Sequence, residues 1–215
     1  VPAPPWRYCR YVAFHKPYHV LSAFTDREGR ATVGVYVPVE DIYAAGRLDY
    51  DSEGLLLLTN DNWLLHRITH PRYDHPKVYL VQVEGVPDGA ALEALRKGVV
   101  VKGEGTRPAE AELLTGAKAP DIPPRSEPIR YRASIPTTWL RIVLTEGRKR
   151  QVRHMTAAVG HPTLRLIRIA IGPVELGHLE PEEWRELDER ELRALAAMLS
   201  RSGLPRSTRR KSRRR

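Results

Sequence analysis

The run Gly54-Leu55-Leu56-Leu57-Leu58-Thr59 leaves a chain of this kind few options. It is apolar at four successive positions, too short for a stable helix, and closed by Asn60-Asp61. Such a segment reads as a buried strand followed by a turn and a helix cap. Just ahead of it stands Gly46-Arg47-Leu48-Asp49-Tyr50-Asp51-Ser52-Glu53. Asp49 therefore belongs to a loop anchored on a core strand, which is how a scaffold holds one reactive carboxylate at a fixed position.

The 215 residues suffice for one large domain or two small ones with a proper core. No stretch of eighteen apolar residues occurs, so no membrane-spanning helix is expected. The first ten residues lack the apolar centre of a signal peptide. Cys9 is the single cysteine, which excludes an intrachain disulfide and a cysteine zinc site and fits a reducing cytoplasm. The net charge of +9 is unevenly placed. Eight of the 35 basic residues lie in 201–215, and without them 27 basic residues face 26 acidic ones. The body is close to neutral, so only local patches argue for a nucleic-acid partner. The tail is expected to be disordered and to act as an electrostatic tether.

Strands are predicted over 11–15, 20–24, 54–59, 77–84, 130–135, 139–145 and 164–171, with 42–45 leading into the aspartate loop. Helices are predicted over 61–70, 88–97, 149–159 and 188–199, the second capped by Asp88 and the fourth by the pair Asp188/Glu191. Residues 115–129 form a Pro- and Gly-punctuated loop. Strands outnumber helices without βαβ alternation, so the fold class is α+β with a mostly antiparallel, mixed sheet. Residues 1–200 form the folded part, with a boundary between two subdomains near 70–76.

Three strings carry a family resemblance. Gly46 to Asp61 resembles the motif bearing the catalytic aspartate of RsuA-type pseudouridine synthases. Lys77-Val78-Tyr79 resembles that family's Lys-x-Tyr motif, whose tyrosine stacks on the target base. Leu144-Thr145-Glu146-Gly147-Arg148-Lys149-Arg150-Gln151-Val152-Arg153-His154-Met155 resembles its third motif. The resemblance implies a pseudouridine synthase catalytic fold with an RNA-binding cleft, Asp49 as nucleophile, Tyr79 at the base, and Arg153 paired with Asp49. Arg47, Lys77, Leu144, Arg148, Lys149, Arg150, Gln151, Arg165 and Arg168 are then the expected RNA-binding residues. Within the family the chain is most similar to the RluE-type branch, which modifies a single uridine of 23S ribosomal RNA and lacks a leading S4 domain. The supporting strings are Lys16-Pro17-Tyr18, Phe24-Thr25-Asp26, the stretch 134–140 and the stretch 161–168. No S4 domain is expected here, since the motifs begin near residue ten. His154 departs from the arginine common at its position.

The residue types suit that chemistry. Converting uridine to pseudouridine breaks an N-glycosidic bond, turns the base and rejoins it through carbon. No redox change occurs and no group departs, so the reaction requires no cofactor or metal. A carboxylate can serve as covalent partner, an arginine keeps it ionised, and an aromatic ring holds the detached base. Arg148, Lys149 and Arg150 at a helix start repel its dipole unless an anion binds there. From Gly147 to Pro173 there is no acidic residue. The expected partner is ribosomal RNA, with no membrane, no obligate protein partner and a monomeric state. Alternatives are a synthase acting on 16S ribosomal RNA or tRNA, and a noncatalytic ribosome-binding protein. Two rival chemistries have residues too: a metal site at His66, His70, Asp74 and His75, and a glycosidase carboxylate pair among Asp49, Asp51 and Glu53.

Overall fold

The computed structural model describes residues 9–129 and 135–201. The strand predicted over 130–135 and the basic tail beyond Arg201 lie outside the described residues, apart from Ile135, which sits in a bend. The strands are β1 (Tyr11–Lys16), β2 (Tyr43–Ala44), β3 (Glu53–Thr59), β4 (Lys77–Glu84), β5 (Val100–Val101), β6 (Glu104–Gly105), β7 (Glu110–Leu114), β8 (Thr137–Leu144), β9 (Thr163–Ile171), β10 (Val174–Glu175) and β11 (Trp184–Glu186). The helices are α1 (Val33–Tyr36), α2 (Asn62–Thr69), α3 (Gly89–Lys97), α4 (Gln151–Ala158) and α5 (Glu189–Arg201).

One sheet runs β11-β1-β3-β9-β4-β8-β7, with β2 added on β3 and β10 on β9. Every pairing in it is antiparallel except β3 with β9. The α+β, mixed and mainly antiparallel reading thus holds. All seven residues of β3 are buried, including Glu53 and Thr59 at its ends. An apolar run without alternation demands cover on both faces. Leu55 and Leu57 pack into one core with α2 and α5 residues Leu64, Ile68, Leu195 and Leu199. Leu56 and Leu58 point the other way, into a core with Val12, Phe14, Val33 and Leu48. A third core lies beneath β4 and β8, with Leu95 of α3 and Met155 of α4.

Local rules place the helices. Asp61 accepts from the Trp63 and Leu64 amides and caps α2, Asp88 caps α3 through Ala91, and Asp188 and Glu191 cap each other's backbone reciprocally. Two expectations need correction. Residues 20–24 form no strand. Both edges of β1 are already taken by β3 and β11, and the 20–24 segment instead bonds back to 31–33, with the amides of Leu21 and Val33 engaged there. The helix predicted from 149 begins at Gln151, because Arg150 sits in the left-handed region at φ 55°. The short β2, β5, β6, β7, β10 and β11, with α1, were not foreseen.

Candidate active site

The parallel contact between β3 and β9 positions the site. At that seam Gly54 lies opposite Arg168, and across β9 Arg168 faces Tyr79 of β4. Gly54 has φ +102°, and a Cβ there would lie 2.3 Å from the Arg168 carbonyl oxygen. Only glycine permits this approach. The Asp49 loop, the start of β4 and the turn before α4 converge above the seam. They enclose a cleft of about 530 Å³ lined by Arg47, Asp49, Ser52, Lys77, Tyr79, Leu144, Arg148, Lys149, Arg150, Gln151 and Arg168, among others. A larger open groove of about 1100 Å³ shares Gly46, Arg47 and Thr69 with the cleft but includes neither Asp49 nor Tyr79. The smaller cleft is the one with reactive groups.

Asp49 is held from both sides in sequence. The Ser22 hydroxyl donates to the Leu48 carbonyl at 2.8 Å and accepts from the Leu48 amide at 3.0 Å. On the other side the His19 amide donates to the Tyr50 carbonyl at 3.0 Å. The His19 ring lies between Tyr50 and Tyr18, with centroids 4.7 and 3.9 Å away, and Arg125 covers Tyr18. The 17–22 segment is anchored in turn by Lys16, a fully buried ammonium that donates to the carbonyls of Pro17 and Val20 at 2.9 and 2.7 Å. Burial brings the Lys16 ammonium down to about 7, against the opposing pull of Glu53, Asp51 and Asp49. Ser22 and His19 went unnoticed in the sequence because their contacts to Leu48 and Tyr50 span a loop of some thirty residues, and Lys16 stood out only as part of a family string.

The arginines are distributed differently from the expectation. Arg153 does not reach Asp49. Its Nη2 donates to the Asp51 carbonyl oxygen at 2.6 Å and stands 3.4 Å from that carboxylate. Arg150 grips Asp51 with two bonds of 2.9 and 2.8 Å and stands 4.0 Å from Asp49. Burial raises the Asp51 carboxyl, but Arg150's hydrogen bonds and the charges of Arg153 and Arg150 outweigh it, so the group stays below the usual carboxylate range. Asp51 thus takes the partner expected for Asp49, Arg153, and Arg150 with it. The left-handed turn at Arg150 swings its side chain back over the loop, a geometry the helical reading of 149–159 could not supply.

The cationic crowd at 148–150 is also less free than expected. Arg148 pairs with Glu104 at 3.2 Å and Glu146 at 3.4 Å and donates to the Gly105 carbonyl. Lys149 is exposed, as is Arg47. Gln151 is buried and works within the turn: its Oε1 accepts from the Arg148 amide and its Nε2 donates to Glu146. Leu144 is buried in the cleft wall. Arg165 lies off the cleft, donating to Glu53 through Nε and Nη2 at 2.8 and 2.7 Å and to the Pro123 carbonyl. Both partners are almost fully buried, so Arg165 is a structural ion pair and Glu53 is unavailable to a carboxylate-pair chemistry.

His66, His70 and His75 gather around Tyr73 as a ring cluster, with Arg67 and Arg72 over its faces. Among the described residues no group of three or more His, Cys, Asp or Glu side chains could hold a metal. Four buried side-chain polar atoms there have no hydrogen-bond partner: Ser52 Oγ, Arg153 Nε, His154 Nε2 and Arg168 Nη2. All four belong to the Asp49 loop, α4 or the β3–β9 seam. Unsatisfied groups of this kind are rare in native proteins and gather where a ligand is to complete them.

A carboxylate beside guanidinium groups, above a tyrosine floor and below a basic rim, defines a site for a base carried on a polyanion. The comparisons agree. The RNA pseudouridylate synthase family matches residues 10–158, and the chain belongs to that family. A ribosomal large subunit pseudouridine synthase E of Vibrio parahaemolyticus is 53% identical over 178 residues, covering 83% of this chain and 74% of its own length. One from Xanthomonas campestris is 51% identical over 184 residues, covering 85% of this chain and 97% of its own. A pseudouridylate synthase crystal structure superposes with a TM-score of 0.73 at 30% identity, over 87% of this chain and 74% of that one. The protein is an RNA pseudouridine synthase, an intramolecular isomerase.

Proposed function

We propose that the protein isomerises one uridine of large-subunit (23S) ribosomal RNA, with Asp49 as the reacting carboxylate. The observation that carries the site is the pinning of Asp49 by Ser22 and His19 in a cleft floored by Tyr79. The target follows the relatives named for the large subunit at more than half identity. Tyr79, only 9% exposed, presents its ring to an inserted base. Arg47 and Lys149 are exposed at the rim and meet RNA phosphates, while Arg150 and Arg153 fix the Asp49 loop through Asp51. A base within an RNA stem must be flipped out to reach this depth, and the phosphate contacts offset part of that cost. Residues 1–200 act as the catalytic domain and 201–215 add nonspecific charge for RNA.

The test is pseudouridine mapping of ribosomal RNA from a strain lacking the gene, complemented with wild type or Asp49→Asn. One 23S position should lose pseudouridine and regain it with wild type only. Loss at a 16S or tRNA position would reassign the substrate. Unchanged maps, together with an inactive purified enzyme, would leave a noncatalytic RNA-binding role.

A further inference from the structure

Two cations of the cleft wall, Arg168 and Lys77, stand apart from the ion pairs around them. Arg165 is matched by Glu53, and Arg150 and Arg153 share Asp51. Arg168 and Lys77 have no carboxylate bonded to them. Arg168 is 3% exposed, its Nε donates to the Leu55 carbonyl at 2.8 Å, and its Nη2 is buried without a partner. Lys77 donates to the His75 carbonyl at 3.3 Å, and it lies with Arg168 in the cleft wall. Burial, and next the charge of Arg168, brings Lys77 down to about 8. A guanidinium buried without a counter-charge costs several kcal/mol, where an apolar residue in the same strand position would cost nothing. Such an arrangement is retained where an anion arrives to complete it.

We propose that Arg168, with Lys77 beside it, stabilises the negative charge that forms on the uracil ring when its bond to ribose breaks. The inference rests on the isomerase reading above. Heterolysis of N1–C1′ leaves the bond's electron pair on the ring, delocalised over N1, O2 and O4. The ring turns, C5 bonds to C1′, C5 gives up its proton to a base and N1 takes one up, so protons and electrons balance. The transient ring anion is the species that a preorganised cation lowers most, since charge is present there and not in the bound uridine. Position favours the ring over a phosphate. Arg168 stands directly across the strand pair from Tyr79, and both are buried, so a flat ring stacked on Tyr79 reaches Arg168. RNA phosphates meet the exposed rim instead.

The experiment compares Arg168→Gln and Lys77→Met with wild type on RNA carrying either uridine or 5-fluorouridine at the target. Fluorine withdraws electrons and makes the ring a better leaving anion. Single-turnover conversion is followed at saturating RNA by chromatography of nuclease digests, and RNA affinity is measured in parallel. Arg168→Gln should slow uridine conversion roughly 100-fold, the scale of one lost oxyanion donor. It should slow cleavage of the fluorinated nucleoside about tenfold or less and change Kd by under threefold. Lys77→Met should show the same compression with a smaller loss. Equal slowing on both rings, or a defect confined to Kd, overturns the proposal, the latter in favour of a phosphate contact. Should Arg168→Gln fail to fold, Lys77→Met decides by the same comparison. Inactive wild-type enzyme would count against the isomerase reading itself.

Discussion

Arg150 holds the Asp51 carboxylate with both of its terminal nitrogens, at 2.9 and 2.8 Å, while standing 4.0 Å from Asp49. Two carboxylates two residues apart therefore have different tasks. Asp51 is spent on Arg150 and Arg153, and Asp49 keeps its oxygens for the cleft. An ion pair on Asp49 of the strength seen on Asp51 would tie up the carboxylate proposed to react.

Mutating the two aspartates should separate these tasks. Asp49→Asn should abolish pseudouridine formation and leave the melting temperature and RNA affinity close to wild type. Asp51→Asn should lower the rate by about ten- to a hundredfold, since near-attack geometry is sensitive to small displacements. A double-mutant cycle of Asp51→Asn with Arg150→Met should show a coupling of ~0.5–3 kcal/mol in stability. Full activity in Asp49→Asn, or additive effects of Asp51 and Arg150, would show the tasks to be misassigned.

The Glu53–Arg165 pair should behave as structure and not as an RNA contact. Arg165→Met leaves a buried carboxylate alone and should cost about 3–5 kcal/mol. Replacing both partners by apolar residues of similar size should recover much of that loss. The salt dependence of RNA binding should keep its slope in the double variant, because no phosphate contact is removed. A slope reduced by nearly one unit would return Arg165 to the interface.

Much of this was legible in the sequence, and the failures share one cause. The unbroken Leu55–Leu58 run announced a strand covered on both faces, and Asp61, Asp88 and Asp188 announced helix starts. These signals are local. The partner of Arg153 depends on a left-handed residue at Arg150, and the burial of Arg165 depends on β9 pairing beside β3, more than a hundred residues away in the chain. Charge in a sequence string does not reveal whether an acid elsewhere neutralises it. Arg165 read as an RNA ligand for that reason, whereas Glu53 had already claimed it, and Arg148, exposed in the cleft lining, shares its charge with Glu104 and Glu146. The two-residue strands were invisible because they are defined only by their partners.

Gly54→Ala tests the seam under the site. Its φ of +102° is strained for any L side chain, and the added Cβ would fall 2.3 Å from the Arg168 carbonyl oxygen and 2.7 Å from its nitrogen. Backbone must move, so the change should destabilise by more than the ~1–3 kcal/mol of conformational strain alone. Activity should fall further than the unfolded fraction accounts for, because Arg168 is displaced with β9. Thermal melts and assays on the folded fraction would show this, and a wild-type melting temperature would contradict it.

Lys16 sets a pH dependence of stability. Its folded-state ammonium titrates at about 7, well below the usual lysine value of 10.5, mainly because it is buried. Between those values the unfolded chain binds more protons than the folded one, so stability from this group rises with pH. Lys77, brought down to about 8, acts in the same direction over a narrower window. Denaturation midpoints should therefore increase from about pH 7 towards pH 9, before other groups intervene. Lys16→Met should flatten the rise, since the neutral side chain has no charge to desolvate. It should also lower activity at every pH, as the Pro17 and Val20 carbonyls lose the donor that anchors the segment gripping Leu48 and Tyr50. Urea denaturation at several pH values, with wild type and Lys16→Met side by side, measures the slope, and an unchanged slope in the variant would place the titrating group elsewhere.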